Sequence, residues 1–316
     1  MLTRIAGNCF WMARLLERAE NNVRLLRMAS LHAALPEYQD NPIGLWQTAL
    51  EVGGTLDDYR ERIGAVERQA VLRYMVLDRD NASGIVTCMR QARDNARTAR
   101  HLLTELSWEV INDTWIQAQA LDEARLADHG VEGVASWATQ RLRLIQGALL
   151  DLWRDALPHV LELGEGIERA DFTARILAEI LPGLLADGLD APPVGSPLFR
   201  RWQGLLTGLG LTETWRRSTP NAIVPLEVLR LVLLHPHAPQ SLLLNVRRMA
   251  DAIGGATGRN DGRAFASCRR LEGTILAADL EQLATAEDDE GMPWFLTTLT
   301  SMTNDIGARL MTDHFA

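Results

Sequence analysis

The opening segment leaves this chain little freedom in how it folds. Ile5, Cys9, Met12, Leu16, Ala19, Val23 and Leu26 recur at helical spacing within an arc of roughly 100°. Phe10, Trp11, Leu15 and Leu25 lie outside that stripe, so the predicted helix is apolar on almost every side. Such a helix is satisfied only at the centre of a bundle, walled by other helices. Pro36 limits it to about residues 3–33. Glu17, Glu20 and Arg24 stand at i, i+3 and i+7 and share one narrow polar edge, with Arg18 pointing elsewhere. Burying that edge obliges it to find partners.

The rest of the chain keeps the helical period, with no sustained alternation of the strand kind. Helical stretches are expected at about 43–52 and 56–77 on either side of Gly53-Gly54, then at about 83–103, 105–127 and 131–157. The next runs to about Asp187, with a kink or break at Pro182. Residues 188–197, dense in Pro and Gly, form the strongest linker. Shorter helices follow at about 198–209, 211–218, 222–235 and 241–253, the last closed by Gly254 as C-cap. Two long helices then cover about 260–287 and 293–315. The expectation is an all-α multi-helix bundle with two related halves. One domain would span 1–316, its halves about 1–187 and 198–316 joined by 188–197. The length also allows two independent domains.

Composition narrows the function. At 316 residues and 47% hydrophobic content a large core is available. A net charge of -9 with no polybasic run repels phosphate backbones, which excludes nucleic acid as a general partner. Cys9, Cys88 and Cys268 are odd in number and far apart, so neither a disulfide framework nor a zinc site is expected. A cytoplasmic location fits that reducing pattern. Arg4, Arg14 and Glu17 interrupt any signal-peptide core, and no apolar run is long enough to cross a bilayer, so no membrane partner is expected.

The most specific pattern is a repeat. Leu16-Glu17-Arg18-Ala19-Glu20, followed after three residues by Arg24-Leu25-Leu26, recurs at a constant offset of 151 residues. The second copy is Ile167-Glu168-Arg169-Ala170-Asp171, then Arg175-Ile176-Leu177; Ala92-Arg93-Asp94-Asn95 with Arg97 and Arg100 is a weaker echo. The repeat suggests an internal duplication or a shared packing role. The candidate polar centre is Glu17, Arg18, Glu20, Arg24, Arg93, Asn95, Glu105, Glu109, Asn112, Glu168, Arg169, Asp171 and Arg175. Three readings stay open: a solvated face of weak pairs, a buried structural ion-pair network, or a ligand-binding or catalytic cluster. Glu105 and Glu109 lie one turn apart beside Trp108 and Asn112. In a cavity shared with Glu17 and Glu168 they would act as acid and base. The structural alternative pairs them with Arg93, Arg97 or Arg100.

Other chemistry is thinly marked. No Glu-x-x-His occurs, and the ladder His159, Glu162, Glu165, Glu168, Asp171 is more often a charged solvent face than a magnesium site. No metal and no cofactor are expected. The stretch Gly254-Gly255-Ala256-Thr257-Gly258 lacks the dinucleotide spacing and is taken as a plain loop. Trp108, Trp115, Trp137 and Trp153 are expected to anchor core packing.

These residues also carry a resemblance. The run Phe10-Trp11-Met12-Ala13-Arg14-Leu15-Leu16-Glu17-Arg18-Ala19-Glu20-Asn21 resembles the start of the alpha-E family, bacterial helical proteins named for their ER motif. The likeness continues through Asp80-Asn81-Ala82-Ser83-Gly84-Ile85, Glu105-Leu106-Ser107-Trp108-Glu109-Val110-Ile111-Asn112, the second ER motif within 164–177, and Ala238-Pro239-Gln240-Ser241. Departures are Ala13 for a glycine, Glu165 for an arginine, and Gln240 for the arginine of a Pro-Arg-Ser triplet, which removes positive charge at two positions. The family's activity is not established; its members are commonly encoded beside circularly permuted ATP-grasp ligases and transglutaminase-like proteins. The resemblance therefore implies a helical accessory or partner of an ATP-grasp-type peptide or amide-bond-forming system, non-catalytic on its own. The alternatives are an enzyme with a Glu/Arg polar centre acting on small peptides or amides, and a self-associating scaffold.

Overall fold

A computed structural model describes residues 3–33, 35, 41, 43–152, 156–219, 222–286 and 291–315. Among these the chain is all-α, with fifteen helices and no strand. The first half of the sequence gives α1 (Thr3–His32), α2 (Gly44–Val52), α3 (Leu56–Arg62), α4 (Arg68–Val76), α5 (Ile85–Thr98), α6 (Glu105–Gln119) and α7 (Glu123–Leu149). Then come α8 (Leu157–Leu185), α9 (Pro197–Gly208), α10 (Thr212–Ser218), α11 (Pro225–Leu233), α12 (Leu242–Thr257), α13 (Arg263–Leu276), α14 (Leu280–Thr285) and α15 (Met292–Leu310). A π-helical turn, Met311–Phe315, follows α15.

Several boundaries differ from those the periodicity predicts. The stretch expected over 56–77 is two helices, because residues 63–67 turn through Gly64 at φ 105°. The break expected between 127 and 131 is a kink at Gly130 within α7, where φ is 63° and ψ -176°. Gly254 does not cap α12; the helix runs on to Thr257 and closes on Gly258, whose left-handed φ of 73° suits a C-cap. Pro182 is carried inside α8. The helix expected at 260–287 divides between α13 and α14, with Asp279 accepting from the Gln282 N–H as a new N-cap. Pro36 and Trp153 lie outside the described residues. Trp108, Trp115 and Trp137 are half-buried at the core's margin, while Trp46, Trp202 and Trp215 fill it. The three predicted indoles pack at the edge of the core, where Trp137 donates to Gln117 Oε1 at 3.2 Å.

One contiguous apolar cluster runs from Ala6 to Leu310. At its centre lie α1 and α8, the two helices that carry the signatures. Phe10 and Ala13 of α1 approach Gly164 of α8, Glu17 meets Arg169, and Arg14 and Arg18 meet Glu168. These contacts keep a nearly constant sequence separation, which two helices can do only by running in the same direction and in register. Gly164 permits the close approach: a Cβ there would be driven into the Phe10 carbonyl oxygen and come within 3.0 Å of the Ala13 methyl. Gly166 does the same toward α12, where an added Cβ would lie 2.8 Å from Met249 Cγ. Outside the central pair, α5 and α7 pack on α1, α12 and α15 pack on α8, and α2 and α9 each touch both. Among the described residues no helix is long and apolar enough to cross a membrane.

Helix by helix, glycine should therefore divide into two kinds. Gly164→Ala is expected to destabilise by about 3 kcal/mol through overpacking. Gly273→Ala, on an exposed face of α13 with nothing within 4 Å of the added methyl, should stabilise by about 0.5–1 kcal/mol through helix propensity. Urea titrations of the two variants test this; equal effects would remove the close-approach account.

Candidate functional site: the crossed ER pair

Each ER glutamate is gripped by the other helix's signature. Glu168 of α8, 1% exposed, receives a fork from Arg18 of α1: Nε to Oε1 at 2.6 Å and Nη2 to Oε2 at 2.9 Å. Arg14 adds Nε to Oε2 at 3.1 Å, and its guanidinium sits 4.8 Å from the Trp11 ring centroid. In the opposite sense, Glu17 of α1, also 1% exposed, has its Oε2 3.0 Å from Arg169 Nη2 of α8. That contact is an ion pair without an aligned hydrogen bond, and Arg169 Nε is likewise buried without one. Glu17 Oε1 accepts from Arg24 Nη1 at 3.3 Å.

The rest of the polar edge fans outward. Arg24 donates to Asn21 Oδ1 at 2.7 Å and to Glu20 Oε1 at 2.6 Å. Gln240, its amide oxygen turned inward, accepts from both Arg24 Nη atoms at 2.9 and 3.2 Å. Glu20 receives Arg143 Nη2 and Gln146 Nε2 of α7, each at 2.8 Å. On α8, Arg175 closes on Asp171 one turn back at 2.8 Å, and its Nη1 donates to the Val52 carbonyl at the end of α2. That carbonyl is one of the last-turn acceptors that α2 cannot satisfy itself.

Electrostatics follow from this packing. Burial alone would push the Glu17 and Glu168 carboxyls up, yet the guanidiniums of Arg169 and Arg24, and of Arg18 and Arg14, hold both below the ordinary 4.5. Arg18 and Arg169 are raised in turn by the carboxylates they face, against the pull of burial. The two helices differ at one aligned position. Arg14 supports Glu168, but the residue 151 positions on is Glu165, which pairs with Arg169 instead of serving Glu17. Burial and the neighbouring Glu17 charge raise the Glu165 carboxyl, although Arg169 opposes the shift.

Of the predicted centre, Glu17, Arg18, Glu20, Arg24, Glu168, Arg169, Asp171 and Arg175 share the α1–α8 crossing, and the third echo does not. Arg93 donates to Asn112 Oδ1 at 3.1 Å and, with Arg100, flanks the Trp108 ring. Asn95 bonds to the Gln91 carbonyl within α5. Glu105 and Glu109 are exposed on α6, which packs on α5 and α7, so an acid–base pair shared with Glu17 and Glu168 is overturned. Glu105 instead sits in the first turn of α6, after the Thr104 cap, where a negative charge suits the helix dipole. The carboxylate ladder also divides: Glu165, Glu168 and Asp171 each turn to a different arginine. Among the described residues no group of three or more His, Cys, Asp or Glu side chains is placed to hold a metal. Arg143, Gln146 and Arg14 were not predicted. Arg14 was legible as the residue one turn before Arg18; the α7 pair carries no local signal.

A cleft of about 230 Å³ reaches the edge of this centre, lined by Trp11, Arg14, Ile167, Asp171 and residues of α15. Glu17 and Glu168 do not line it. The three thiols are closed off too: burial pushes Cys9 up to about 11 and Cys88 and Cys268 up to about 12, so none is a nucleophile near neutral pH.

Glu168→Gln should cost about 3–5 kcal/mol at pH 7, because it strands two largely buried guanidiniums. The sign with pH is fixed: a carboxyl lowered on folding contributes stability above 4.5 and loses it as pH falls through the lowered value. The gap between wild type and variant should therefore narrow in acid. Urea midpoints across the acid range check this, and a gap that widens toward low pH would contradict it.

Comparison with known proteins gives one match. The alpha-E family, described as a predicted alpha-helical domain with a conserved ER motif, matches residues 1–315. No curated protein and no solved structure matches. With Glu17-Arg18 and Glu168-Arg169 crossing at its centre, the chain belongs to the alpha-E family.

Proposed function

We propose that this alpha-E protein is a helical partner of an ATP-grasp-type peptide or amide-bond-forming system, and that its ER centre holds the fold and does not react. The observation that carries the second part is the exhaustion of the centre's chemistry. Both ER glutamates are 1% exposed, held ionised by arginines of the opposite helix and, for Glu17, by Arg24 as well, and absent from the lining of the adjoining cleft. A carboxylate locked below its ordinary range is a poor general base near neutral pH, and a guanidinium raised above its own is no acid. What such a centre does well is fix two long helices in one register, and so fix every surface they carry.

The partner's identity rests on the family resemblance: an ATP-grasp ligase and transglutaminase-like proteins are the neighbours it implies. Its net charge of -9 keeps the partnership among proteins and not nucleic acids.

The test is to co-express the full chain with the ATP-grasp ligase encoded beside it. The expected outcome is a complex that persists at micromolar concentration and a ligase turnover that depends on it. Glu17→Gln and Arg24→Met should lower melting temperature and complex yield together. The chain alone, given ATP and amino acids, should show no turnover. Absence of association across several such pairs, or turnover by the chain alone that Glu17→Gln abolishes without loss of stability, would overturn the proposal.

A further inference from the structure

Away from the ER centre, a cleft of about 460 Å³ opens where the C-terminal part of α1 meets α2, α8 and α9. That volume lies in the range of small-molecule sites. Its accessible apolar lining is Leu45 of α2 and Ile180 of α8, both half-buried, with Met28 and Leu205 closed off behind them. Glu51 of α2 and Glu179 of α8, whose carboxyls stand side by side, and Arg201 of α9 also line the cleft. Gly183 leaves room for Arg201, since an added Cβ there would stand 3.0 Å from Arg201 Nη2.

A carboxyl set beside a carboxylate keeps its proton more readily, since two adjacent negative charges repel. Desolvation by the cleft wall and the neighbouring Glu51 push Glu179 up to about 7. The charged and titratable groups around the pair are His32 of α1, Arg201 of α9 and Arg175 one turn back along α8. Arg175 is engaged by Asp171 and the Val52 carbonyl. Arg201 donates to the Gly183 carbonyl at 2.7 Å and stands 3.8 Å from Asp187. Neither arginine pairs with Glu51 or Glu179, and Gln47 Nε2 is the neutral donor that meets Glu51, at 2.8 Å. Glu179 beside Glu51 is thus an anionic seat filled by a proton, in one cleft with half-buried Leu45 and Ile180 and a guanidinium.

We propose that this cleft binds a small aliphatic amino acid or the amino end of a short peptide. The ammonium takes the place of the proton on Glu179 beside Glu51, the aliphatic side chain lies against Leu45 and Ile180, and the carboxylate turns to Arg201. Binding below neutral pH releases the Glu179 proton to solvent, and no bond in the ligand is made or broken. This reading is independent of any ligase partnership, because the titration that tests it uses the full chain alone.

Three probes separate the contributions in calorimetric titrations: 3-methylbutylamine carries only the ammonium, 4-methylpentanoate only the carboxylate, and leucine both. An alkylamine keeps its proton across the range, as a lysine side chain does. The amine and leucine should bind saturably and about tenfold tighter at pH 8 than at pH 6, as the pair empties of its proton. 4-Methylpentanoate should not bind. Glu179 is exposed, so Glu179→Gln should leave folding intact, checked by its melting curve, while weakening the amine and leucine about tenfold or more and flattening their pH dependence. Arg201→Met should weaken leucine and leave the amine unchanged. The proposal is overturned if neither amine nor leucine saturates at up to about 10 mM. It is equally overturned if Glu179→Gln leaves affinity and pH dependence as they were, or if the carboxylate probe alone binds.

Discussion

Burying two carboxylates in a helical core is costly, and in this protein each takes a guanidinium from the other helix, which Arg24 of α1 supplements for Glu17. A residue and its immediate sequence neighbour project from a helix about 100° apart. Glu17 and Arg18 therefore look away from each other, as do Glu168 and Arg169. Side by side, in parallel and in register, α1 and α8 resolve the difficulty by exchange: Arg18 serves Glu168 and Arg169 serves Glu17. A slip of one residue would rotate both glutamates out of reach, so the pairing specifies register. The small residues Ala13 and Gly164 bring the two backbones near enough for the exchange to happen.

That dependence explains what was legible in advance. The all-helical class, the central place of the first helix and the burial of its polar edge follow from one apolar circumference and need no tertiary knowledge. Eight members of the predicted centre meet because they belong to two copies of one pattern on two central helices. The failures share a cause as well. Arg93, Glu105 and Glu109 have the right residue types, but α6 turns its glutamates outward, and composition is blind to which side of a helix faces its neighbour. Arg143 and Gln146 reach Glu20 from α7 across more than a hundred residues, a distance at which no spacing rule operates. Gly64 and Asp279 broke helices that the apolar period carried straight through, because a left-handed residue or a cap overrides periodicity locally, whereas Gly130 only kinks a helix where a full break was expected.

The two signatures are not electrostatic equals. Glu168 has two arginines and a full fork, whereas Glu17 has Arg24 at 3.3 Å and a misaligned Arg169 that it shares with Glu165. Substitution of the arginine expected at position 165 by Glu165 puts a third carboxylate into a site built for two. Gln240 sits against Arg24, where the family resemblance leads one to expect another cation, and so offers Arg24 an acceptor in place of a repulsive neighbour. The loss of positive charge at one site and the surplus of negative charge at the other lie on the same α1–α8 seam.

Parallel alignment of α1 and α8 has a consequence for synthesis on the ribosome. Antiparallel neighbours can meet as soon as a short loop is made, but helices running in the same direction need the chain to travel back first. Here that return takes α2 to α7, so α1 leaves the exit tunnel with its apolar circumference uncovered. At 5–20 residues per second its partner follows roughly 10–30 s later. During that interval Glu17 and Arg18 are wet and the face of α1 that α8 will cover is open to any sticky neighbour, even where α5 and α7 already shield its other sides. A nascent chain in this condition is a natural client for a chaperone that holds amphipathic segments until their counterpart is made.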